Sequence, residues 1–168
     1  MGLMDLETAF ALFEADQIWV ESLPEIAAEA LAEGSDSPSL RLLAGMAPFD
    51  PRDARNLFLM AMQELGIPRP DSHQAALVAA RWLATQCLNG AMSLADGCGR
   101  IWGILLLWIA NHPGSPIPED IQRLGSVGQF AEYYETPERF FPYAGSDQMD
   151  RDVRLELEQL ASNDDSEG

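Results

Sequence analysis

Four glutamates recur every fourth residue in the segment ESLPEIAAEALAEGSD, residues 21–36. On a helix this spacing places the four carboxylates on one face, where they could bind a cationic group. We call Glu21, Glu25, Glu29 and Glu33 the acidic ladder. Like charges at this spacing cost about 0.2 to 0.5 kcal/mol per pair, and the sequence has no Lys or Arg before Arg41. The ladder is therefore either an ordinary solvated helix face or a surface that receives a basic partner.

Motifs for phosphate binding, serine hydrolysis and zinc binding are missing from the chain. Its two histidines, His73 and His112, fall near predicted helix ends, where an imidazole can satisfy a carbonyl group and the helix dipole. Metal sites in helix bundles use inward-facing Glu and a Glu-x-x-His pair, and this sequence has no such pair. We therefore expect no enzymatic activity, no catalytic residue, no metal site and no cofactor.

The charge balance of the chain narrows the class of partner. Acidic residues outnumber basic ones 27 to 10 in 168 residues, all ten bases are Arg, and the net charge is −17. A field this negative repels nucleic acid and anionic membranes and attracts basic proteins. We expect a basic protein partner and neither nucleic acid nor membrane as a ligand.

Chain length and cysteine content indicate one domain in a reducing compartment. With 47% hydrophobic residues the chain can bury a real core, and we predict a single helical domain over residues 1–161 with a disordered acidic tail, 162–168. Cys87 and Cys98 form no disulfide framework, so we expect buried thiols and a cytoplasmic protein. The N-terminus lacks the features of a signal peptide, and no apolar run reaches the roughly 20 residues that a membrane-spanning helix needs.

Helical periodicity runs through nearly the whole chain, which predicts an all-α bundle of about six to eight helices. We expect the first helix over 4–21, where Glu7, Glu14 and Glu21 recur every seven residues and extend the acidic surface. A second helix should begin at a capping box formed by Ser22 and Glu25. Its apolar residues, at 23, 26, 27, 30 and 31, lie opposite the acidic ladder.

Pro, Ser and Asp at helix starts and Gly at helix ends predict the bounds of the remaining helices. We place them at 38–45, 51–66, 72–89, 93–112, 118–124 and 146–161. The helix over 93–112 is apolar on nearly every face, so we expect it at the centre of the bundle. Its glycines, Gly97, Gly99 and Gly103, lower helix propensity, and close packing of a neighbouring backbone is the usual compensation.

An aromatic segment, QFAEYYETPERFFPYAG, precedes the last predicted helix. Aromatic residues at this density form either a lid over the core or a docking site, since Tyr and Phe are frequent in interfaces. The docking interpretation would make Tyr133, Tyr134 and Phe141 anchors for a partner.

Three segments of the chain resemble a widespread all-helical family of small bacterial proteins. They read DSPSLRLLAGM, DPRDARNLFLMAMQELGIPRP and LNGAMSLADGCGRIWGILL. The matching positions are core and cap residues: Leu40, Arg41, Leu43, Ala44, Gly45, Leu57, Phe58, Glu64, Leu65, Gly66, Gly90, Gly97 or Gly99, Ile101 and Trp102. The resemblance covers about 36–110 and implies a helical fold without known catalytic residues. Some members are similar in size and acidity to immunity proteins of bacterial toxin systems.

These observations together lead to an expectation about function. We expect a non-enzymatic acidic binding protein, an immunity- or antitoxin-type inhibitor that covers a basic surface of a bacterial toxin or effector. Its partner-binding residues would be Glu14 and the acidic ladder, with the three aromatic anchors. The alternative is a structural or regulatory adaptor domain of a bacterial cytoplasmic complex. The sequence leaves the oligomeric state open.

Overall fold

The computed structural model describes residues 4–136 and 146–162, and within them it contains eight α-helices and no strand. This confirms the all-α prediction. The helices are α1 (Leu6–Glu14), α2 (Leu23–Ala32), α3 (Pro38–Ala44), α4 (Pro51–Glu64), α5 (Ser72–Leu88), α6 (Leu94–Asn111), α7 (Glu119–Glu135) and α8 (Ser146–Ser162), and a 3₁₀ turn, Val20–Ser22, precedes α2. Within these residues, no helix combines the length and the hydropathy that crossing a bilayer requires.

Side-chain caps fix most helix starts where the sequence predicted them. Asp50 accepts hydrogen bonds from two backbone N–H groups of α4 at 2.9 Å, Ser93 accepts one from Asp96 at 3.1 Å, and Asp71 accepts one from Gln74 at 2.8 Å. Each satisfies an N–H group that has no partner inside its own helix. Gly66 and Gly90 follow α4 and α5 with positive φ, as glycines after a helix often do.

The first helix is shorter than predicted. It ends at Glu14, and Asp16 has the left-handed φ of 57°, which breaks the helix. Ile18 and Val20 nonetheless pack on the core from outside α1, so their helical spacing was misleading. The predicted capping box is also wrong: Ser22 makes no capping bond, because the 3₁₀ turn leads directly into α2 and gives this residue a helical backbone.

The seventh helix is longer than predicted. It continues through Gly125 and Gly128 to Glu135 instead of ending at Leu124. Both glycines face α6: a Cβ on Gly128 would lie 2.2 Å from Cε3 of Trp102, and one on Gly125 would lie 3.5 Å from Cδ2 of Leu105. Helix contact therefore holds these glycines in a helical conformation that their propensity opposes.

The chain divides into two compact units, Met1–Ala75 and Ala76–Gly168. The single domain predicted for 1–161 stays a prediction. Ser162, which we assigned to the tail, is the last residue of α8, and 163–168 lie outside the described residues.

The first unit packs α1 to α4 around aromatic rings. Phe58 is fully buried; its ring meets the Phe10 ring edge-on at 5.9 Å between centroids and the Phe13 ring at 5.1 Å. The Arg55 guanidinium lies 5.0 Å from the centroid of Phe13, close enough for a cation–π interaction. Phe58 is thus the central packing residue of this unit.

A carboxylate at the end of α4 binds the beginning of α3. Glu64 accepts hydrogen bonds from the backbone N–H of Ser39 at 3.0 Å and from its hydroxyl at 2.8 Å. The hydrogen bond from the Ser39 N–H, with further ones from the Ser39 and Ser37 side chains, lowers the pKa of Glu64 below its ordinary value. The contact ties two helices of the first unit together.

The second unit brings helices together through small residues. Gly128 lies under the ring of Trp102 in the contact between α6 and α7, the most extensive helix pair of the described chain. Gly97 of α6 faces α5, since a Cβ there would lie 2.0 Å from Sγ of Cys87. We predicted that a neighbouring backbone packs closely on Gly97. The close contact exists, but it is made by the side chain of Cys87.

Candidate protein-binding surface

The acidic ladder begins in the 3₁₀ turn and follows α2 of the first unit. Glu21 belongs to the 3₁₀ turn, Glu25 and Glu29 to α2, and Glu33 caps the C-terminus of α2 with a helical backbone. All four side chains are exposed. The opposite face of α2 is buried through Leu23, Ile26, Ala27 and Ala30. The predicted division of this helix into an acidic and an apolar face is confirmed.

The ladder is not compensated by the described part of the chain. None of its four carboxylates forms an ion pair with a described arginine, and the last turn of α2 has no basic residue. The helix dipole stabilises the negative charge of Glu25, which lies near the N-terminus of α2. Glu33 lies at the C-terminal end, where a negative charge is unfavourable. The two like-charge pairs on α2, Glu25 with Glu29 and Glu29 with Glu33, together cost about 0.4 to 1 kcal/mol, which a cationic partner would recover.

Arg41, the first base after the ladder, is engaged elsewhere. Its guanidinium donates two hydrogen bonds to Asp36, from Nε to Oδ1 at 2.6 Å and from Nη2 to Oδ2. These bonds lower the pKa of Asp36 and raise that of Arg41. Arg41 is thus paired with Asp36 and not with a glutamate of the ladder.

Glu14 differs from the ladder. Its side chain is only 15% exposed, and Oε2 accepts a hydrogen bond from Nη2 of Arg69 at 2.9 Å. Because α1 ends at Glu14, the heptad of Glu7, Glu14 and Glu21 does not lie on one helix, contrary to our prediction. The structure gives Glu14 an intramolecular partner and leaves the four ladder glutamates without one among the described arginines.

An exposed tryptophan that no sequence pattern marked precedes the ladder in the chain. Trp19 is 80% exposed and immediately precedes the 3₁₀ turn that carries Glu21. Large exposed aromatic side chains are frequent energetic centres of protein interfaces. Trp19 lies between Ile18 and Val20, which we had assigned to the first helix. Because α1 ends at Glu14, these residues are not helical in the way we predicted, and the exposure of Trp19 could not be inferred from helical periodicity.

The predicted aromatic anchors lie in the second unit. Tyr133 is only 7% exposed, and its ring packs against that of Tyr134 at 5.2 Å between centroids. The Tyr134 hydroxyl donates a 2.7 Å hydrogen bond to Asp150 of α8. Burial, followed by this hydrogen bond, raises the pKa of Tyr134 well above its ordinary value. Both tyrosines thus make contacts within the second unit, and Phe141 lies outside the described residues. The choice between lid and docking site stays open.

His112 and the two cysteines, which could in principle take part in catalysis, are engaged in packing contacts or buried. Nδ1 of His112 lies 2.8 Å from the carbonyl oxygen of Trp108, and its ring stacks on that of Trp108 at 4.2 Å. Cys87 and Cys98 are buried, as predicted, and burial raises the pKa of Cys98 to about 12. A thiol with this pKa stays protonated at neutral pH and is a poor nucleophile. Among the described residues, no three His, Cys, Asp or Glu side chains come together as metal ligands.

A cleft of about 420 Å³ lies between α7 and α8 in the second unit. Its polar lining is already bonded internally: Arg123 pairs with Glu119 at 3.0 Å, and Glu156 accepts a 3.2 Å hydrogen bond from Ser126. The acidic ladder with Trp19 is therefore the stronger candidate for a functional surface.

Comparisons with known proteins add no assignment. No family model matches the chain, and neither the curated proteins nor the solved structures contain a significant match. The resemblance to the helical bacterial family stays a prediction.

Proposed function

We propose that this protein is a non-enzymatic acidic inhibitor of the immunity or antitoxin type, and that its acidic ladder covers a basic surface of a bacterial toxin or effector. One observation carries the proposal: four exposed glutamates share a surface, and none forms an ion pair with an arginine of the described chain.

Electrostatics supports a basic partner in particular. The net charge of −17 steers cationic proteins toward the molecule. Arginine side chains that bind phosphate also bind carboxylates in a bidentate manner. A row of glutamates on a rigid helix can therefore occupy the nucleic-acid-binding or nucleotide-binding cleft of a toxin and exclude its substrate.

Trp19 offers an apolar contact that the glutamates of the ladder cannot make. Charged contacts at the edge of an interface contribute mainly to association rate and specificity, whereas buried aromatic residues contribute most of the affinity. Trp19, 80% exposed next to Glu21 in the chain, is suited to enter an apolar pocket of the partner. The proposed surface thus combines an aromatic anchor with charged residues.

Charge reversal with a matched control tests the surface. The chain and its Glu25→Arg/Glu29→Arg variant are each used to isolate partners from the native host, and the binding of the recovered protein is then titrated at several salt concentrations. We expect the variant to bind at least about tenfold more weakly, with a flatter salt dependence. The control, Glu135→Arg/Glu158→Arg, changes two exposed glutamates of the second unit and the net charge equally. Equal weakening by both variants would show that only net charge matters and would contradict the proposal.

The inhibitor function needs a separate test. A basic protein encoded next to this chain is expressed alone and together with it, and growth of the host is measured. We expect toxicity alone, protection by the wild type and the control, and loss of protection by the charge-reversed variant. A partner that binds the ladder without any toxic activity would favour the adaptor alternative instead.

A further inference from the structure

Helix α6 exposes an apolar face, although its composition predicted a central position in the bundle. Trp102 is 38% exposed, Leu106 48% and Ile109 38%. We call this face, with the exposed small residues between them, the α6 stripe: Gly99, Trp102, Gly103, Leu106, Ile109 and Ala110. No charged residue occurs from Ile101 to Asn111. An exposed, uncharged apolar face of this kind is a candidate interaction surface.

The glycines of the α6 stripe are not used within the described chain. Gly97 packs tightly against Cys87, but no heavy atom lies within 4 Å of a Cβ built on Gly99 or Gly103. Glycine lowers helix propensity without any packing benefit at these two positions. The close packing predicted for them is therefore not made inside the described residues, and the space beside both glycines is open.

Trp102, next to Gly103 in the stripe, packs against α7. Its ring packs on Gly128 of α7, where an added Cβ would lie 2.2 Å from Cε3 and 3.0 Å from Cδ2. The opposite side of the ring contributes to the stripe. An aromatic side chain that is already held in place loses little conformational freedom when a partner binds.

We propose that the α6 stripe binds the same stripe of a second copy of this chain, with the two helices antiparallel. The N-terminal half of the stripe is small, at Gly99 and Gly103, and the C-terminal half is large, at Leu106 and Ile109. Rotation by 180° places Leu106 of each copy against Gly103 of the other, and Ile109 against Gly99. The stripe is thus complementary to itself, which a two-fold symmetric interface requires.

Charge favours a second copy over a basic partner on this face. A basic protein finds no carboxylate between Ile101 and Asn111, whereas the acidic ladder offers four. A copy that also carries −17 can approach only where its contact surface is uncharged. The dimer uses a different surface from the proposed inhibitor function and does not depend on it.

The area of the stripe predicts a weak dimer. The exposed parts of three large side chains, with the small residues between them, amount to roughly 400 Å² per copy, or about 800 Å² in total. Specific stable interfaces bury about 1,200 to 2,000 Å², and smaller ones are transient. We therefore expect weak, reversible self-association.

Sedimentation equilibrium of the full chain between about 1 μM and 1 mM tests the dimer. Leu106→Glu places a charge in the centre of the stripe, and we expect it to raise the dissociation constant at least about tenfold. Leu155→Glu is the matched control, because Leu155 is 55% exposed on α8 and the charge change is the same. We expect at most about a twofold effect from the control. A wild-type chain that stays monomeric throughout, or equal effects of the two variants, would overturn the proposal.

Gly103→Ala tests the antiparallel register independently. Its methyl group meets nothing in the described monomer, so we expect a higher melting temperature in dilute solution. The same methyl group fills the site of Leu106 from the second copy, so we expect the dissociation constant to rise about fivefold. A variant that dimerises as tightly as the wild type would overturn this register.

Discussion

The two units of the chain differ in what fills their core and in what they expose. The first fills its centre with the rings of Phe58, Phe10 and Phe13 and exposes carboxylates on α2. The second brings helices together through Gly97 and Gly128 and exposes an apolar stripe on α6. The contrast teaches that composition alone does not assign a helix to the core. The polar face of α2 is exposed as its periodicity predicts, whereas α6, apolar on nearly every side, is buried on only part of its surface.

Removing the central ring should have the largest effect. Phe58→Ala leaves a cavity between Phe10 and Phe13, and we expect a loss of about 3 to 5 kcal/mol in the free energy of unfolding, measured by urea denaturation. Phe49→Ala is the control, because Phe49 is 39% exposed. We expect the control to lose under about 1 kcal/mol. Similar losses in the two variants would show that the first unit does not depend on a ring-filled centre.

Adding a methyl group to the glycine contact of the second unit should have the next largest effect. Gly128→Ala forces the ring of Trp102 to move, so we expect a loss of about 1 to 3 kcal/mol in thermal or urea denaturation. Gly103→Ala in dilute solution is the control and should gain up to about 1 kcal/mol, because its methyl group meets no atom of the described chain. Gains in both variants would mean that helix propensity outweighs packing in this unit.

Changing one charge of the ladder should have a smaller effect of favourable sign. Glu29→Lys replaces two repulsions, with Glu25 and Glu33, by two attractions, and we expect a gain of about 1 kcal/mol in the free energy of unfolding. Glu158→Lys is the control in α8, where the new charge lies one turn after Arg154. There we expect a slight loss, since two like charges replace an attractive pair. A loss from Glu29→Lys would indicate compensation of the ladder within the chain.

The smallest effect should appear only as a pH dependence. Hydrogen bonds from Ser39 hold the pKa of Glu64 below its ordinary value, so this carboxylate stabilises the folded state above about pH 4.3 and loses that contribution as the pH falls through the lowered pKa. We expect Glu64→Gln to be less stable than the wild type at pH 7 and nearly equal to it at about pH 2. Urea denaturation at several pH values measures the difference. Glu135→Gln, at an exposed glutamate of α7, is the matched control.

Much of the candidate surface was predictable because its pattern is local. The spacing of the ladder and the apolar residues opposite it lie within one helix, and periodicity assigned both faces of α2 correctly. The pairing of Glu14 with Arg69 joins residues 55 positions apart. No local pattern indicates such a contact, so the sequence placed Glu14 among the partner-binding residues. Trp19 was missed for a related reason, since its exposure follows from where α1 ends.

By itself the sequence determined that the chain is helical, where most helices begin, and which side of α2 carries charge. These properties depend on residues within one or two turns of each other, through capping bonds and the 3.6-residue period. Only the tertiary structure decided that α7 passes through two glycines, that Tyr133 is buried, and that α6 shows an apolar face. Those outcomes depend on which helix lies against which, and a Cβ or its absence has an energetic consequence only once a neighbouring helix is in place.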